Sequence, residues 1–354
     1  MSRYWSEITK HIKPYVPGEQ PGGREYLKLN TNENPYPPSP KVLDAIKQAA
    51  NESLRRYPDP LCSELRAAIA DYYGLGREQV FVGNGSDEVL AFAFPAFFNP
   101  GDRIFSPDVT YTFYKVYAAL FRVDYIPIPL DEDFSIPVEM FFRENRGIII
   151  PNPNAPTGKY MPIESVRSIL EHNRDSVVII DEAYVDFGGE SAAGLIRDYP
   201  NLLVVQTLSK SRSLAGLRVG FALGQEGLIK GLDRIKNSIN SYTLDRLALA
   251  GAREAIRDKA YFEETTSKVI NTRERVSARL AGMGFKVIPS KTNFVFISHA
   301  LCNACDLFRQ LKGKGILVRY FNEPRIDNYL RVSIGSDDEM DRFLRVLEEI
   351  VASL

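Results

Sequence analysis

At 354 residues, with 44% hydrophobic and 25% charged side chains, the chain is long enough for roughly two to three domains and has the make-up of an ordinary globular protein. A formal net charge of -1 offers no general attraction to nucleic acid or to an anionic membrane, and no apolar run approaches the roughly 20 residues that span a bilayer. Three cysteines make no disulfide framework and the N-terminus lacks the apolar core of a secretion signal, so the expectation is a cytoplasmic protein with a small-molecule partner.

Residues 1–40 are rich in Pro, Gly and Asn, as in Pro14-Tyr15-Val16-Pro17-Gly18, and read as an extended arm. Tyr4, Trp5, Tyr15 and Tyr26 give this arm apolar area, which predicts that it lies across another surface such as a second subunit. From residue 41, helical patterns alternate with short β-branched runs at 80–82, 103–105, 125–128, 147–150, 177–180, 202–205 and 217–221. That alternation predicts an α/β fold with a mostly parallel, doubly wound sheet. Residues 242–282 contain no Pro and read as one mostly helical stretch joining two domains. Beyond them the pattern is strand at 294–297, helix at 306–312, strands at 316–318 and 329–334, and helix at 337–351, a smaller α+β unit. The expected division is an arm over 1–40 that also contributes to the small domain, a large domain over 41–255 and a small domain over 256–354.

Three of the runs in the large domain end in reactive side chains. The run 202–205 leads to Leu208-Ser209-Lys210, 177–180 leads to Asp181-Glu182-Ala183-Tyr184, and 147–150 leads to Pro153-Asn154-Ala155-Pro156-Thr157-Gly158. Open α/β sheets bind ligands outside the carboxyl ends of their strands, so an amine, a carboxylate, a phenol and an amide converge. That set suits pyridoxal 5′-phosphate (PLP), which needs an amine for its aldehyde, an acid to keep its pyridine nitrogen protonated, and donors for its ring oxygen and phosphate. Lys210 meets the first need, Asp181 the second, and Tyr184 and Asn154 face the ring oxygen. Singly, each has a plainer reading as a solvated strand-end lysine, a helix cap, a core tyrosine or a turn residue.

Val82-Gly83-Asn84-Gly85-Ser86-Asp87-Glu88 reads as strand, glycine turn and helix start, where backbone N–H groups face a phosphate, although a plain helix N-terminus has the same pattern. Ser209 and Arg218 would add a hydroxyl and a guanidinium. Tyr111, following the 103–105 run, either stacks on the pyridine ring or packs in the core. Arg331 lies mid-strand among apolar neighbours, so it either clamps a substrate carboxylate or forms an internal ion pair; Arg319 would meet a second anion. Cys302-Asn303-Ala304-Cys305, just after His299, has too few ligands for a structural metal site and reads as two small apolar residues one helical turn apart.

Together with Leu29-Asn30-Thr31-Asn32-Glu33-Asn34-Pro35 and Arg56-Tyr57-Pro58-Asp59-Pro60, these motifs resemble, over essentially the whole chain, the fold-type I PLP-dependent aminotransferases, and among them the branch that acts on L-histidinol phosphate in histidine biosynthesis. The resemblance implies Lys210 as the lysine that holds PLP, Asp181 as the pyridine partner, Asn154 and Tyr184 as ring-oxygen donors, and the backbone of Ser86 and Asp87 with Ser209 and Arg218 at the phosphate. It implies that Tyr57 reaches the cofactor phosphate of a neighbouring subunit, hence a homodimer, and that Tyr15, Asn32, Arg319 and Arg331 recognise substrate. The implied reaction turns L-histidinol phosphate and 2-oxoglutarate into imidazole acetol phosphate and L-glutamate. Aromatic amino-acid aminotransferases and threonine-phosphate decarboxylases share most of these cofactor residues and stay open as alternatives. A PLP-fold effector-binding module is disfavoured because the arm is too short for an N-terminal helix-turn-helix domain. A dinucleotide binder is disfavoured because Gly83-Asn84-Gly85 lacks the third glycine of that fingerprint.

Overall fold

The computed structural model of the protein describes residues 2–19 and 26–352. Near the N-terminus lies a short helix, α1 (Glu7–His11), capped by the Ser6 hydroxyl, and a two-residue strand, β1 (Leu27–Lys28), opens the next described segment. Helices α2 (Pro40–Ala49) and α3 (Ser63–Tyr73) precede the large sheet. Its strands are β2 (Val80–Gly83), β3 (Arg103–Pro107), β4 (Asp124–Ile128), β5 (Gly147–Pro151), β6 (Val177–Asp181), β7 (Leu202–Thr207) and β8 (Gly220–Gly224), in the spatial order β2-β8-β7-β6-β5-β3-β4. Only β8 runs in the direction opposite to the other six strands.

Nearly every residue of β5, β6 and β7 is buried, because helices cover both faces of the sheet and the strands read as continuous apolar runs. Side chains still alternate between the faces. Ile148, Ile150, Val178, Ile180, Leu202 and Val204 pack with α3 and with α6 (Ile163–His172) and α8 (Arg246–Arg257). Ile149, Ile179, Leu203 and Val205 pack on the other side with α4 (Gly85–Phe97), α5 (Phe113–Phe121) and α7 (Glu226–Ile239). The parallel strands therefore deliver the ends of β5, β6 and β7 side by side at one edge.

After α9 (Lys259–Gly282) come β9 (Phe285–Ile288), β10 (Phe294–His299), α10 (Ala304–Gly313), β11 (Ile316–Leu317), β12 (Arg319–Tyr320), β13 (Leu330–Ser333) and α11 (Asp337–Ala352). Strands β12-β13-β10-β9 form an antiparallel sheet, whereas β11 pairs in parallel with β1. Val295, Ile297 and Val332 of this sheet share a second core with α9, α10 and α11.

Several elements depart from the expectation. The strand placed at 217–221 begins only at Gly220, because Arg218 sits at φ 53° in the left-handed region and interrupts the extended run. The single stretch at 242–282 is two helices divided at Asp258, whose backbone leaves the helical region at ψ 67° and whose carboxylate is bonded by Lys41 Nζ at 2.9 Å and by Ser39. Strand β9 and helix α1 were not foreseen; both are too short to show a period. The arm is not extended throughout, and the surface it crosses is partly its own chain: the Leu27 amide donates to Gly315 O at 2.9 Å and the Leu29 amide to Leu317 O at 2.8 Å. Tyr4, Trp5 and Val16 remain exposed. Cys302 lies ahead of α10, which Asn303 caps by accepting from the Cys305 amide, so the two cysteines do not share a helix face. Among the described residues no three metal-ligating side chains cluster, and no helix is long and apolar enough to cross a membrane.

Leu203 is fully buried in β7 against α4, α5 and α7. Leu203→Ala is expected to cost about 2–5 kcal/mol of stability, read as a lower urea midpoint by circular dichroism. An unchanged midpoint would contradict the packing described.

Candidate active site

The carboxyl ends of β5, β6 and β7, the turn before α4, the arm and the β12–β13 edge enclose one cavity of about 900 Å³. Tyr15, Asn32, Ser86, Asp87, Tyr111, Asp181, Tyr184, Ser209, Lys210, Arg218, Arg319 and Arg331 line it; Asn154 and Tyr57 do not.

Lys210 follows β7 by three residues. Its carbonyl accepts from Asn34 Nδ2 at 3.0 Å and its Nζ donates to Thr31 O at 3.1 Å, so the arm grips both ends of the residue. Burial, reinforced by Arg331, pushes the amine down to about 8, against the opposing charges of Glu33 and Asp87. Part of the lysine is therefore a neutral nucleophile near neutral pH.

Asp181 ends β6. Its Oδ2 accepts from Tyr114 Oη at 2.6 Å and its Oδ1 from the Ala183 amide at 3.2 Å. Burial, with a smaller push from Asp87, raises the carboxyl to about 6 in spite of these donors. No basic side chain pairs with it among the described residues. A buried acid in this position gains most from a cationic ligand group.

The turn into α4 forms a cradle. Asn84 makes no side-chain cap, so the first amides of the helix are free of a capping side chain. Gly85 lies at φ 81°, and a Cβ there would come within 2.6 Å of Arg218 Nη2; a Cβ on Gly220 would overlap the Ser86 amide. These glycines let the β8 backbone and the Arg218 guanidinium close on the helix start. Arg218 Nη2 pairs with Asp87 Oδ2 at 3.2 Å, and Nη1 lies 3.5 Å from Ser209 Oγ, which also accepts from Thr207 Oγ1 at 3.0 Å. Helix amides, a hydroxyl and a guanidinium make a donor set for a phosphate.

Tyr111 donates to Asp87 Oδ1 at 2.9 Å and meets Tyr15 edge-on at 5.9 Å, while Tyr15 stacks on Phe113 at 4.6 Å. Burial raises the hydroxyls of both Tyr15 and Tyr111 above the ordinary tyrosine range. Asn32 adopts φ 56°. Its backbone N–H and its Oδ1 are both occupied by Ser333 Oγ, at 2.8 and 2.9 Å, which leaves Nδ2 to donate to Tyr184 Oη at 2.9 Å.

Arg319 and Arg331 are directly opposite one another on β12 and β13, a like-charge pairing that a sheet ordinarily avoids. Arg331 Nη2 donates to Asn30 O at 3.1 Å, its Nε is buried without a partner, and Arg319 Nη2 lies 3.5 Å from Val16 O. Neither has a carboxylate partner among the described residues, so the internal ion pair held open for Arg331 is not found. Burial depresses the Arg331 pKa, and the Arg319 charge acts in the same direction. Two guanidiniums placed in this way could together receive an anion.

Asn154 is fully buried, with Nδ2 donating to Val109 O at 3.0 Å and Thr157 Oγ1 at 2.9 Å, while Oδ1 has no partner. Its neighbours Ala155 and Pro156 reach the cavity wall. Tyr57 is 77% exposed and stacks on Tyr242 at 4.6 Å, outside this cavity. Two contributions escaped the sequence reading. Tyr114 is one aromatic in a run of several, with no pattern to mark that it faces an aspartate 67 residues away. The Asp87 side chain, which joins Tyr111 to Arg218, was hidden behind the backbone role read for that turn.

The family model for class I and II aminotransferases matches residues 24–347. A histidinol-phosphate aminotransferase of Clostridium acetobutylicum is 60% identical over 352 residues, covering 99% of this chain and 100% of that protein. One from Clostridium beijerinckii is 58% identical over 353 residues, covering 100% of this chain and 99% of its own. Among solved structures, histidinol-phosphate aminotransferase from Sinorhizobium meliloti, in complex with pyridoxal-5′-phosphate, superposes with a TM-score of 0.89 at 26% identity, covering 100% of this chain and 99% of that one.

With its pKa lowered to about 8, Lys210 is mainly protonated below that pH and mainly neutral above it. In cofactor-free protein, modification of Lys210 by an amine-directed reagent, followed by peptide mass spectrometry, should rise with a midpoint near pH 8 while exposed lysines respond only at higher pH. A Lys210 profile matching that of the exposed lysines would contradict the burial described.

Proposed function

The chain belongs to the class I and II aminotransferases, and from that premise we propose that it transfers the amino group of L-histidinol phosphate to 2-oxoglutarate, a step of histidine biosynthesis, with PLP as cofactor. The observation that carries the substrate assignment is the Arg319–Arg331 pair, two guanidiniums without a carboxylate partner among the described residues, in the cavity that holds Lys210. One substrate bears a phosphate monoester and the other two carboxylates, and arginine binds either anion through the same planar donors. An aromatic amino acid offers a single carboxylate and uses this pair less fully.

The residues present fit PLP: an unpaired buried acid for the pyridine nitrogen, a helix-start cradle for the phosphate, and an amine with lowered pKa for the aldehyde. Bound PLP supplies an electron-withdrawing ring that acidifies the substrate Cα–H and carries the amino group between the two substrates. Lys210 would hold the cofactor's aldehyde, and its Nζ, when free, is the base placed to take the proton from the substrate Cα. Burial serves both tasks by keeping the amine basic without leaving it fully protonated. Asp181 would keep the pyridine nitrogen protonated. Because Asn32 donates to the Tyr184 oxygen, the phenolic hydrogen of Tyr184 stays free for the cofactor's ring oxygen. Asn154 serves as a second donor there if its Nδ2 turns from Thr157. The Ser86 and Asp87 amides, Ser209 and Arg218 would bind the phosphate, Tyr111 would cover the ring, and Tyr15 with Asn32, Arg319 and Arg331 would receive substrate.

A homodimer belongs to the same reading. Tyr57 and Tyr242 are stacked and exposed outside their own cavity, and Leu54, Leu61 and Ile239 are exposed as well. That apolar area suits a second copy, whose cofactor phosphate Tyr57 would reach. The reading also places the protein in the cytoplasm, with a large domain over 41–255 holding the cofactor and a small domain over 256–354 supplying the arginines.

Titrating the PLP-loaded protein with L-histidinol phosphate should bleach the band of the bound cofactor at much lower concentration than L-phenylalanine does, and 2-oxoglutarate should restore it. A band that responds only to phenylalanine, or to neither donor, would discard the substrate assignment. Arg331→Ala should raise the KM for L-glutamate by about tenfold or more, the value of a charge-assisted contact, with PLP retained. Unchanged glutamate kinetics would place the clamp elsewhere.

A further inference from the structure

Tyr114 has no exposed surface, and among the described residues its hydroxyl is the one side-chain donor to Asp181, at 2.6 Å on Oδ2. The other oxygen, Oδ1, is taken by the Ala183 amide. One donor on each oxygen leaves the carboxylate a single orientation. We propose that Tyr114 is a positioning residue for the transamination, its hydroxyl holding the plane and the negative charge of Asp181 toward the pyridine nitrogen of the cofactor. This rests on the reading of Asp181 as the pyridine partner.

The groups that face Asp181 are Tyr114 and Tyr117 from α5, Asp87 from α4 and Tyr184 beyond the end of β6. None is a cation. Asp87 disfavours the ionised form, and burial disfavours it more; the Tyr114 hydroxyl and the Ala183 amide act the other way. Removing the hydroxyl therefore shifts the Asp181 titration further upward, and the protein loses the carboxylate at a higher pH than before. The ring of Tyr114 has a separate structural duty in the core shared by β6, β7 and α4, which phenylalanine preserves.

The test uses the PLP-loaded protein and two measurements besides turnover: the rate of PLP release on dilution, and the pH dependence of the bound cofactor's absorbance. Tyr114→Phe is expected to release PLP about tenfold faster and to move the acid-side midpoint of the absorbance upward by about one pH unit. Tyr73→Phe, which removes a hydroxyl bonded at 2.6 Å to Gln206 Oε1 away from the cavity, should lower stability without moving either reading. Asp181→Asn provides the reference. If Asp181→Asn alters release and absorbance while Tyr114→Phe matches the unaltered protein in both, the positioning role is overturned. If Asp181→Asn leaves both unchanged, the pyridine-partner reading fails and takes the proposal with it. A change in Tyr114→Phe that Tyr73→Phe reproduces equally would reduce Tyr114 to a core residue.

Discussion

Four residues of the arm, Asn30, Thr31, Asn32 and Asn34, tie the site together. The Asn30 carbonyl accepts from Arg331, the Thr31 carbonyl from Lys210 Nζ, Asn32 donates to Tyr184 and binds Ser333, and Asn34 donates to the Lys210 carbonyl. Asn293 completes the set by donating to Asn32 O at 2.9 Å. Through this segment the lysine at the end of β7 and the arginine on β13 share a support, although they lie on different sheets. Backbone carbonyls shielded from water must be paired, and here those of Asn30 and Thr31 are paired by Arg331 and Lys210, two of the groups that line the cavity. Asn32 achieves its position only by entering the left-handed region, which asparagine tolerates better than most side chains.

Three charged groups of the cavity have no partner of opposite charge among the described residues. Lys210 is lowered toward neutrality, Asp181 is raised by burial, and Arg331 is depressed beside Arg319. An ordinary core neutralises its charges internally; in the function proposed above, each unbalanced group would meet a different part of the ligands, namely aldehyde, pyridine nitrogen and substrate anion. Such perturbed groups concentrate at functional sites, where stability is sacrificed for chemistry. By contrast, Glu182, the neighbour of Asp181, is also raised by burial, to about 7, but its carboxylate is satisfied by Ser191, Ala192 and Gln206 and does not line the cavity. Adjacent carboxylates on one strand end thus have different surroundings, because side chains alternate between the two faces of a sheet.

The chain by itself determined the alternation of strands and helices and the placement of Lys210, Asp181 and Asn154 just past three apolar runs. Both follow from local physics: β-branched runs buried on both faces make parallel strands, and parallel strands put their carboxyl ends on the same edge. Only the tertiary structure decided the break at Arg218, whose left-handed backbone accompanies the close approach of its guanidinium to Gly85 and Asp87. It also decided that the arm lies partly on its own chain through β1 and β11, a pair of two-residue strands that no periodicity can signal. The bond from Tyr114 to Asp181 and the opposition of Arg319 to Arg331 belong to the same class. Each joins residues whose sequence separation carries no pattern, and each depends on which face of a helix or strand turns inward once the two sheets and the arm have packed.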